Sequence, residues 1–487
     1  MVLLEQALLS FFLKNDLNVS LTSNLYYLTH MSTFTITFAG GAQMPTGSNF
    51  LVEFGGKKIL IDCGLVQGEK YSLPINSEPF SYDPTLVDAL FVTHAHLDHV
   101  GRIPQLVRAG FRGEIISTAP TREMGELIML DSLGILGKEA LQAGLPMLYE
   151  EKDVFESMHL WATTLTYEQV FTFRTDDGDA TIMLHDAGHI LGSAIVEIAY
   201  KGKKLAFTGD LGNTPSPLMR DTTLLKDIDY LVIESVYGDR NHKDKDKRIE
   251  IFKEAVTTTV AKGGTVLIPA FSIERTQEML LAFNELVEGN QIPSVPVYLN
   301  SPLGINITKV YKKYESWFNE NVESIIKSGD DIFAFKGLIQ TPTPEESKAI
   351  NGDNRPKVII AGSGMSNGGR ILHHEAKYLP DPNSTIIIVG YQAVNTIGRH
   401  IVDEEKEVYI HGNPIPLRAR VVNIHGFSAH KDSEHLVEFV GSTAETLKKV
   451  IVVLGEPKST YFLGQRIHET YDVPVVVPEK GDVIELE

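Results

Sequence analysis

The chain has 487 residues, 43% hydrophobic and 22% charged, the composition of an ordinary soluble globular protein that is too long for a single core. Lys and Arg total 44 against 63 Asp and Glu, and a net charge of −19 excludes a protein that coats nucleic acid non-specifically. The single cysteine, Cys63, excludes an internal disulfide framework and a cysteine-based zinc cluster, so a bound metal must rely on histidine and carboxylate.

No stretch approaches the roughly 20 uninterrupted apolar residues of a membrane span. Residues 1–30 carry Glu5 early and lack a basic start and a small-residue cleavage site, so they are read as an N-terminal extension rather than a secretory signal. The cytoplasm is the expected compartment, with no membrane partner. From Thr33 to Asp62 the pattern is strand, Gly-rich turn, strand, tight Gly55-Gly56 turn and strand, the antiparallel start of a sheet. Asp62 ends the last strand, where its carboxylate can either steady a ligand histidine or serve an Asp-Gly turn.

The apolar run Ala89-Leu90-Phe91-Val92 then leads into His94-Ala95-His96-Leu97-Asp98-His99. Histidines two residues apart on an extended segment point the same way and can share one metal, while Asp98 and His99 can reach a second as the chain turns into a helix. Ordinary loops rarely gather so many borderline-soft ligands beside a carboxylate. Helices over Gly101–Ala109 and Thr121–Leu130 flank a strand, Glu114–Ser117, and a helical stretch runs on to about Val170. Strand Ala180–Leu184 leads to His189, a candidate third ligand beside His94 and His96, or else a satisfied core histidine. Strand Ala194–Ala199 follows, and Leu205–Thr208 ends at Gly209-Asp210-Leu211-Gly212. There Asp210 can bridge two metals about 3.5–4 Å apart, or serve as an Asp-Gly turn residue.

Taken together, Asp62, the His94/His96/Asp98/His99 set, His189 and Asp210 resemble the ordered signature of the metallo-β-lactamase superfamily. Glu234 within Leu231–Arg240, Ser363-Gly364-Met365 with Gly368-Gly369-Arg370, Val389–Gln392, and Gly426-Phe427-Ser428-Ala429-His430 narrow the resemblance to the β-CASP nucleases. That branch includes the nuclease subunit of eukaryotic pre-mRNA 3′-end processing and its prokaryotic relatives. The resemblance implies an α/β fold, a four-layer αββα metallo-β-lactamase sandwich with an inserted α/β β-CASP domain. The implied division is 31–235 for the first part of the sandwich, 236–417 for the insertion and 418–487 for the returning part. Glu234 and His430 match positions by which the family defines itself, and with Asp98 they form the expected catalytic set.

The residues of the insertion read independently as a parallel, doubly wound sheet: Gly263–Ala270, Val295–Leu299, Lys357–Ala361 and Ser384–Val389 alternate with helices such as Ile273–Glu288. Thr341–Pro344 reads as a proline-capped helix start. Gly362 to Gly369 opens a helix whose amides can hold a phosphate, or forms a plain glycine-rich turn; Ser363, Gly364 and Arg370 are the substrate-binding candidates. The charge-alternating run His242–Arg248 reads as a solvated face. One departure stands out, because RNA-processing members place a metal-binding histidine before a Gly-Glu pair where this chain has Leu454-Gly455-Glu456. His425 is a distant candidate to compensate.

The expected protein is a zinc-dependent nuclease that hydrolyses phosphodiester bonds of RNA, single-stranded above all, by a metal-bound hydroxide. His94, His96 and His189 hold a tight zinc, Asp98 and His99 a second and weaker one, and Asp210 bridges them. His430, steadied by Glu234, donates a proton to the leaving oxygen. The alternatives are a catalytically weakened RNA-binding scaffold of the same fold, which Leu454 would suit, a DNA-directed nuclease, and a thioester or lactam hydrolase, which would not need the insertion. Endonuclease or 5′ exonuclease action and a homo-oligomer are left open.

Overall fold

The computed structural model describes residues 33–68, 72–242, 245–393 and 395–487. The expected extension over 1–30 lies outside the described residues.

Two seven-stranded sheets face each other. The first runs in space Val483–Leu486, Phe34–Gly40, Asn49–Phe54, Lys57–Ile61, Ala89–Phe91, Glu114–Thr118, Thr163–Leu165. The second runs Val475–Val476, Lys449–Val452, Tyr230–Ile233, Lys203–Phe207, Ala194–Tyr200, Gly178–Asp186, Phe171–Thr175. Alternation along the strands builds the layers. In the first sheet Phe50, Val52, Ile59 and Ile61 enter the core between the sheets, while Leu51 and Leu60 face the outer helices with Leu106, Val107 and Trp161. In the second, Leu205, Phe207 and Val232 point inward, and Ala206, Leu231 and Ile233 meet Leu436, Val440 and Leu463 of the outer helices. The result is the expected αββα sandwich. Each fully buried side chain of this kind contributes about 1.5–3 kcal/mol.

A third sheet of six strands is parallel throughout, ordered Leu338–Gln340, Val297–Leu299, Lys357–Ala361, Thr265–Pro269, Thr385–Ile388, Arg420–Asn423. Its four inner strands are buried on both faces, as their continuous apolar runs require. The last strand, Arg420–Asn423, pairs with Thr385–Ile388. Thr343 caps the helix Pro344–Ala349 in a capping box with Glu346, as the proline-led pattern predicts. The stretch expected to be helical up to Val170 ends instead at Leu160, and Thr163–Leu165 adds an edge strand.

One hydrophobic cluster joins the insertion to the sandwich. It combines Ile268, Leu299 and Ile360 with Ala95, between two site histidines, and with Ile190 and Leu191, directly after another. The insertion therefore packs on the loops that carry the candidate ligands.

Candidate metal centre

The candidate side chains collect where strands end. Asp62 follows Lys57–Ile61, His94 follows Ala89–Phe91, Asp210 follows Lys203–Phe207, and Glu234 follows Tyr230–Ile233. The paired strands within each of these sets are parallel, so their carboxyl ends open on one edge. His189 reaches the same edge from the loop between Gly178–Asp186 and Ala194–Tyr200. Close approach sets the glycines here: a Cβ on Gly64 would stand 1.5 Å from the Asp98 carbonyl oxygen, and one on Gly209, at φ +54°, 2.7 Å from Thr93 Cβ.

His94, His96, His189 and Asp210 offer ligand atoms that all lie within 4.8 Å of one another. His96 Nδ1 stands 3.1 Å from His94 Nε2 and 3.2 Å from His189 Nε2. Asp210 Oδ2 stands 3.4 Å from His94 Nε2 and 3.5 Å from His189 Nε2. Four ligands about 2.0–2.1 Å from a tetrahedral zinc stand about 3.3–3.4 Å apart, so the donor set fits a metal of this kind. Burial, with the neighbouring imidazoles, holds His96 and His189 well below the usual histidine range, which keeps their lone pairs free at neutral pH.

The other oxygen of Asp210 faces away from that group. Oδ1 lies 3.5 Å from His99 Nε2, and Asp98 Oδ2 lies 3.9 Å from the same nitrogen. His99 Nε2 is buried and has no hydrogen-bond partner among the described residues. A ring nitrogen between two carboxylates calls for a cation. Burial would lower the His99 pKa, yet Asp62, Asp210 and Asp98 outweigh it and raise it well above the usual value. Burial likewise would raise Asp210, but His99 and His94 hold it well below the carboxylate range, whereas burial raises Asp98.

Asp62 supports this half of the centre. Its carboxylate accepts from His99 Nδ1 at 2.6 Å, Ser48 Oγ at 2.9 Å and Thr93 N at 2.8 Å. Thr93 Oγ1 bonds Asp62 at 2.9 Å and stands 3.1 Å from His94 Nδ1. Asp62 adopts φ +59°, a conformation Asp tolerates better than most residues. Ser48 and Thr93 escaped the sequence analysis; a hydroxyl directly before the histidine run was the available signal for Thr93.

Glu234 is fully buried and accepts from Leu211 N at 2.6 Å and Val236 N at 3.2 Å, with His430 Nδ1 at 3.4 Å. Asp210, Glu234 and His430 form a second cluster of converging ligand atoms. Burial would depress His430, but Glu234, Asp210 and Asp98 push it up to about 8. His430 is held by backbone pairing between its loop and Gly212, and by Asn213 N donating to Ala429 O at 2.8 Å.

The run His242–Arg248 is not simply a solvated face. His242 Nε2 lies 2.9 Å from the His430 carbonyl oxygen, and Arg248 Nη1 donates to Gly426 O at 3.3 Å. Folding brings both ends of the run against the His430 loop, a long-range contact that charge alternation cannot reveal.

The substrate-binding candidates stand differently. Ser363 Oγ accepts from Asn367 N at 3.1 Å within its own turn, and Gly364 O accepts from Gln392 Nε2 at 2.9 Å. Arg370 donates to Asn300 Oδ1, Thr341 O and Pro342 O at 2.7–2.8 Å. Its donors staple the turn to neighbouring loops. Leu454 is buried in the core between the sheets, and its Cδ2 would stand 2.8 Å from a Cβ on Gly41. It offers no ligand. The His425 side chain lies outside the described residues.

Among the described residues no helix is long and apolar enough to cross a membrane. Three family profiles match in chain order: a metallo-β-lactamase superfamily domain over residues 51–232, a Beta-Casp domain over 276–401, and a Zn-dependent metallo-hydrolase RNA specificity domain over 414–478. Ribonuclease TTHA0252 of Thermus thermophilus is 35% identical over 427 residues, 88% of this chain and 94% of that protein. An RNase J-like protein of Methanocaldococcus jannaschii is 32% identical over 452 residues, 92% of this chain and 99% of that protein. Transcription termination factor FttA of Methanosarcina mazei is 31% identical over 454 residues, 89% of this chain and 69% of that protein. In fold, the chain is similar to a crystal structure of a protein of unknown function from Enterococcus faecalis, with a TM-score of 0.54 and 14% identity over 93% of this chain and 100% of that one. With its strand-end histidines and carboxylates and two relatives matched over nearly their full length, the chain belongs to the β-CASP branch of the metallo-β-lactamase superfamily.

Proposed function

We propose that this protein is a metal-dependent nuclease that hydrolyses phosphodiester bonds of single-stranded RNA. The observation that carries the reading is the convergence of His94, His96 and His189 on Oδ2 of Asp210 while Oδ1 of the same carboxylate faces His99. The names of the relatives, a ribonuclease and an RNase J-like protein, support RNA as the substrate. His94, His96 and His189 would hold one zinc, Asp98 and His99 a second, and Asp210 would serve both. Bound there, the metal supplies a nucleophile at neutral pH and charge stabilisation for the phosphoryl oxygens. Because Leu454 contributes no donor, the second ion is the weaker.

The chain's own residues provide the rest. Asp62 accepts a hydrogen bond from His99 Nδ1 and so fixes which nitrogen faces the other carboxylates. Glu234 engages Nδ1 of His430, leaving Nε2 to give its proton to the leaving oxygen as the phosphorus–oxygen bond breaks. The Glu234 carboxylate beside it favours the protonated imidazole, which suits that task. The insertion packs apolar side chains against the loops carrying His94, His96 and His189, which limits water at the reacting phosphate.

The test is incubation of purified protein with 5′-labelled and 3′-labelled RNA and matched DNA, with and without chelator, followed by sizing of the products. Chelator-sensitive cleavage of RNA is expected, with His430→Ala losing cleavage but keeping its metal. Intact RNA beside cleaved DNA would make the protein a DNA nuclease. Intact RNA and DNA with little bound metal would favour the RNA-binding scaffold.

A further inference from the structure

Outside the metal cluster, one cation is held in a frame that crosses the mouth between insertion and sandwich. The guanidinium carbon of Arg240 lies 5.1 Å from the ring centroid of Tyr237 and 5.7 Å from that of Tyr391. The two rings stand 6.3 Å apart at an interplanar angle of 77°. Each ring is itself fixed. Tyr237 is buried, with Ser428, two residues before His430, beside its hydroxyl. Tyr391 comes from the insertion, and its hydroxyl donates to Glu456 Oε1 at 3.1 Å on the returning segment. The Tyr237 ring lies 6.0 Å from the ring of His430.

We propose that Arg240, held against Tyr237 and Tyr391, is a phosphate-binding residue for the nucleic-acid strand flanking His430. This rests on the nuclease reading above. Both rings approach the guanidinium from one side, and an arginine held against aromatic rings recognises phosphate through its N–H fork. Its charge is only partly compensated, because it shares its one carboxylate partner among the described residues. The contact to Asp239 runs through Nε at 3.4 Å, and Asp239 is already engaged by Lys458 Nζ at 2.8 Å and Ser459 Oγ at 3.0 Å. The Arg240 side chain is 45% exposed, so a strand can reach it. On a chain of net charge −19, with Asp98, Asp210 and Glu234 in the cleft, a strand needs such a cation beside the reacting phosphate.

The experiment compares parent, Arg240→Gln and Arg240→Lys by fluorescence anisotropy with labelled single-stranded RNA and DNA 12-mers across a salt series, alongside RNA cleavage kinetics. One lost phosphate contact lowers the salt slope by about 0.7 on a single strand, so the binding deficit of Arg240→Gln should shrink about fivefold over a tenfold rise in salt. Arg240→Lys keeps the slope while binding less tightly, because it keeps the charge and loses the fork. In cleavage, KM rises for Arg240→Gln and kcat holds. An unchanged salt slope in Arg240→Gln overturns the proposal, as does a parent that binds neither oligonucleotide. If the parent binds but leaves RNA intact, the nuclease reading on RNA fails, and the salt slope still decides the role of Arg240.

Discussion

Replacing Asp62 with Asn should weaken metal binding on the His99 side of the centre before anything else. The carboxylate is fully buried and serves four donors: His99 Nδ1, Ser48 Oγ, and the amide and hydroxyl of Thr93. An amide of the same shape keeps one oxygen and turns an NH2 toward donors, so at least one buried N–H or O–H loses its acceptor, at about 1–3 kcal/mol. It also loses the charge that fixes His99 with Nε2 toward Asp98 and Asp210. Losing such a supporting partner typically lowers metal affinity about 10–100-fold. The assay is metal content after dialysis against graded chelator, with thermal unfolding in parallel. Asp62→Asn should release one ion at about tenfold less chelator or lower still, hold the His94-side ion more firmly, and melt earlier. Chelator curves that coincide with the parent for both ions would refute the role of Asp62.

Asp210→Asn should lower occupancy of both ions, because one carboxylate faces His94 and His189 with Oδ2 and His99 with Oδ1; equal metal content in variant and parent would remove Asp210 from between them. Leu454→His should tighten the second ion and raise RNA cleavage at limiting zinc, and no change in either would mean that position 454 does not face the metals. Burial pushes the Glu375 carboxyl up from 4.5 to about 8, with Ser366 Oγ its one hydrogen-bond donor among the described residues, at 2.5 Å. The folded pKa lies above the unfolded one, so this stabilisation is complete below about pH 4.5 and lost as pH rises through 8, on the order of 1.4 kcal/mol per pH unit. Glu375→Gln should therefore gain melting temperature over the parent between pH 5 and 8, and parallel pH profiles would contradict a buried neutral carboxyl.

Much of the architecture was legible because the strands carry their own signals. Lys57–Ile61 alternates between two cores, and Lys357–Ala361 is apolar on both faces, so period and run length separate the sandwich from the insertion. His94 to His99 was legible because the chemistry is packed into six consecutive residues. Thr93 and Ser48 were not, since a hydroxyl reveals its role only when the fold sets it against Asp62. The bonds of Arg370 were hidden for the same reason: its donors go to the carbonyls of Thr341 and Pro342, 29 and 28 residues earlier. The contact of His242 with the His430 carbonyl spans 188 residues, beyond any local pattern.

The most direct test strips the purified protein with chelator, returns zinc stepwise, and follows bound metal and cleavage of labelled single-stranded RNA in the same samples. Cleavage should be absent from stripped protein and rise with bound zinc. Stripped protein that cleaves RNA as fast as the loaded form, or loaded protein that leaves RNA intact, would contradict a metal-dependent ribonuclease.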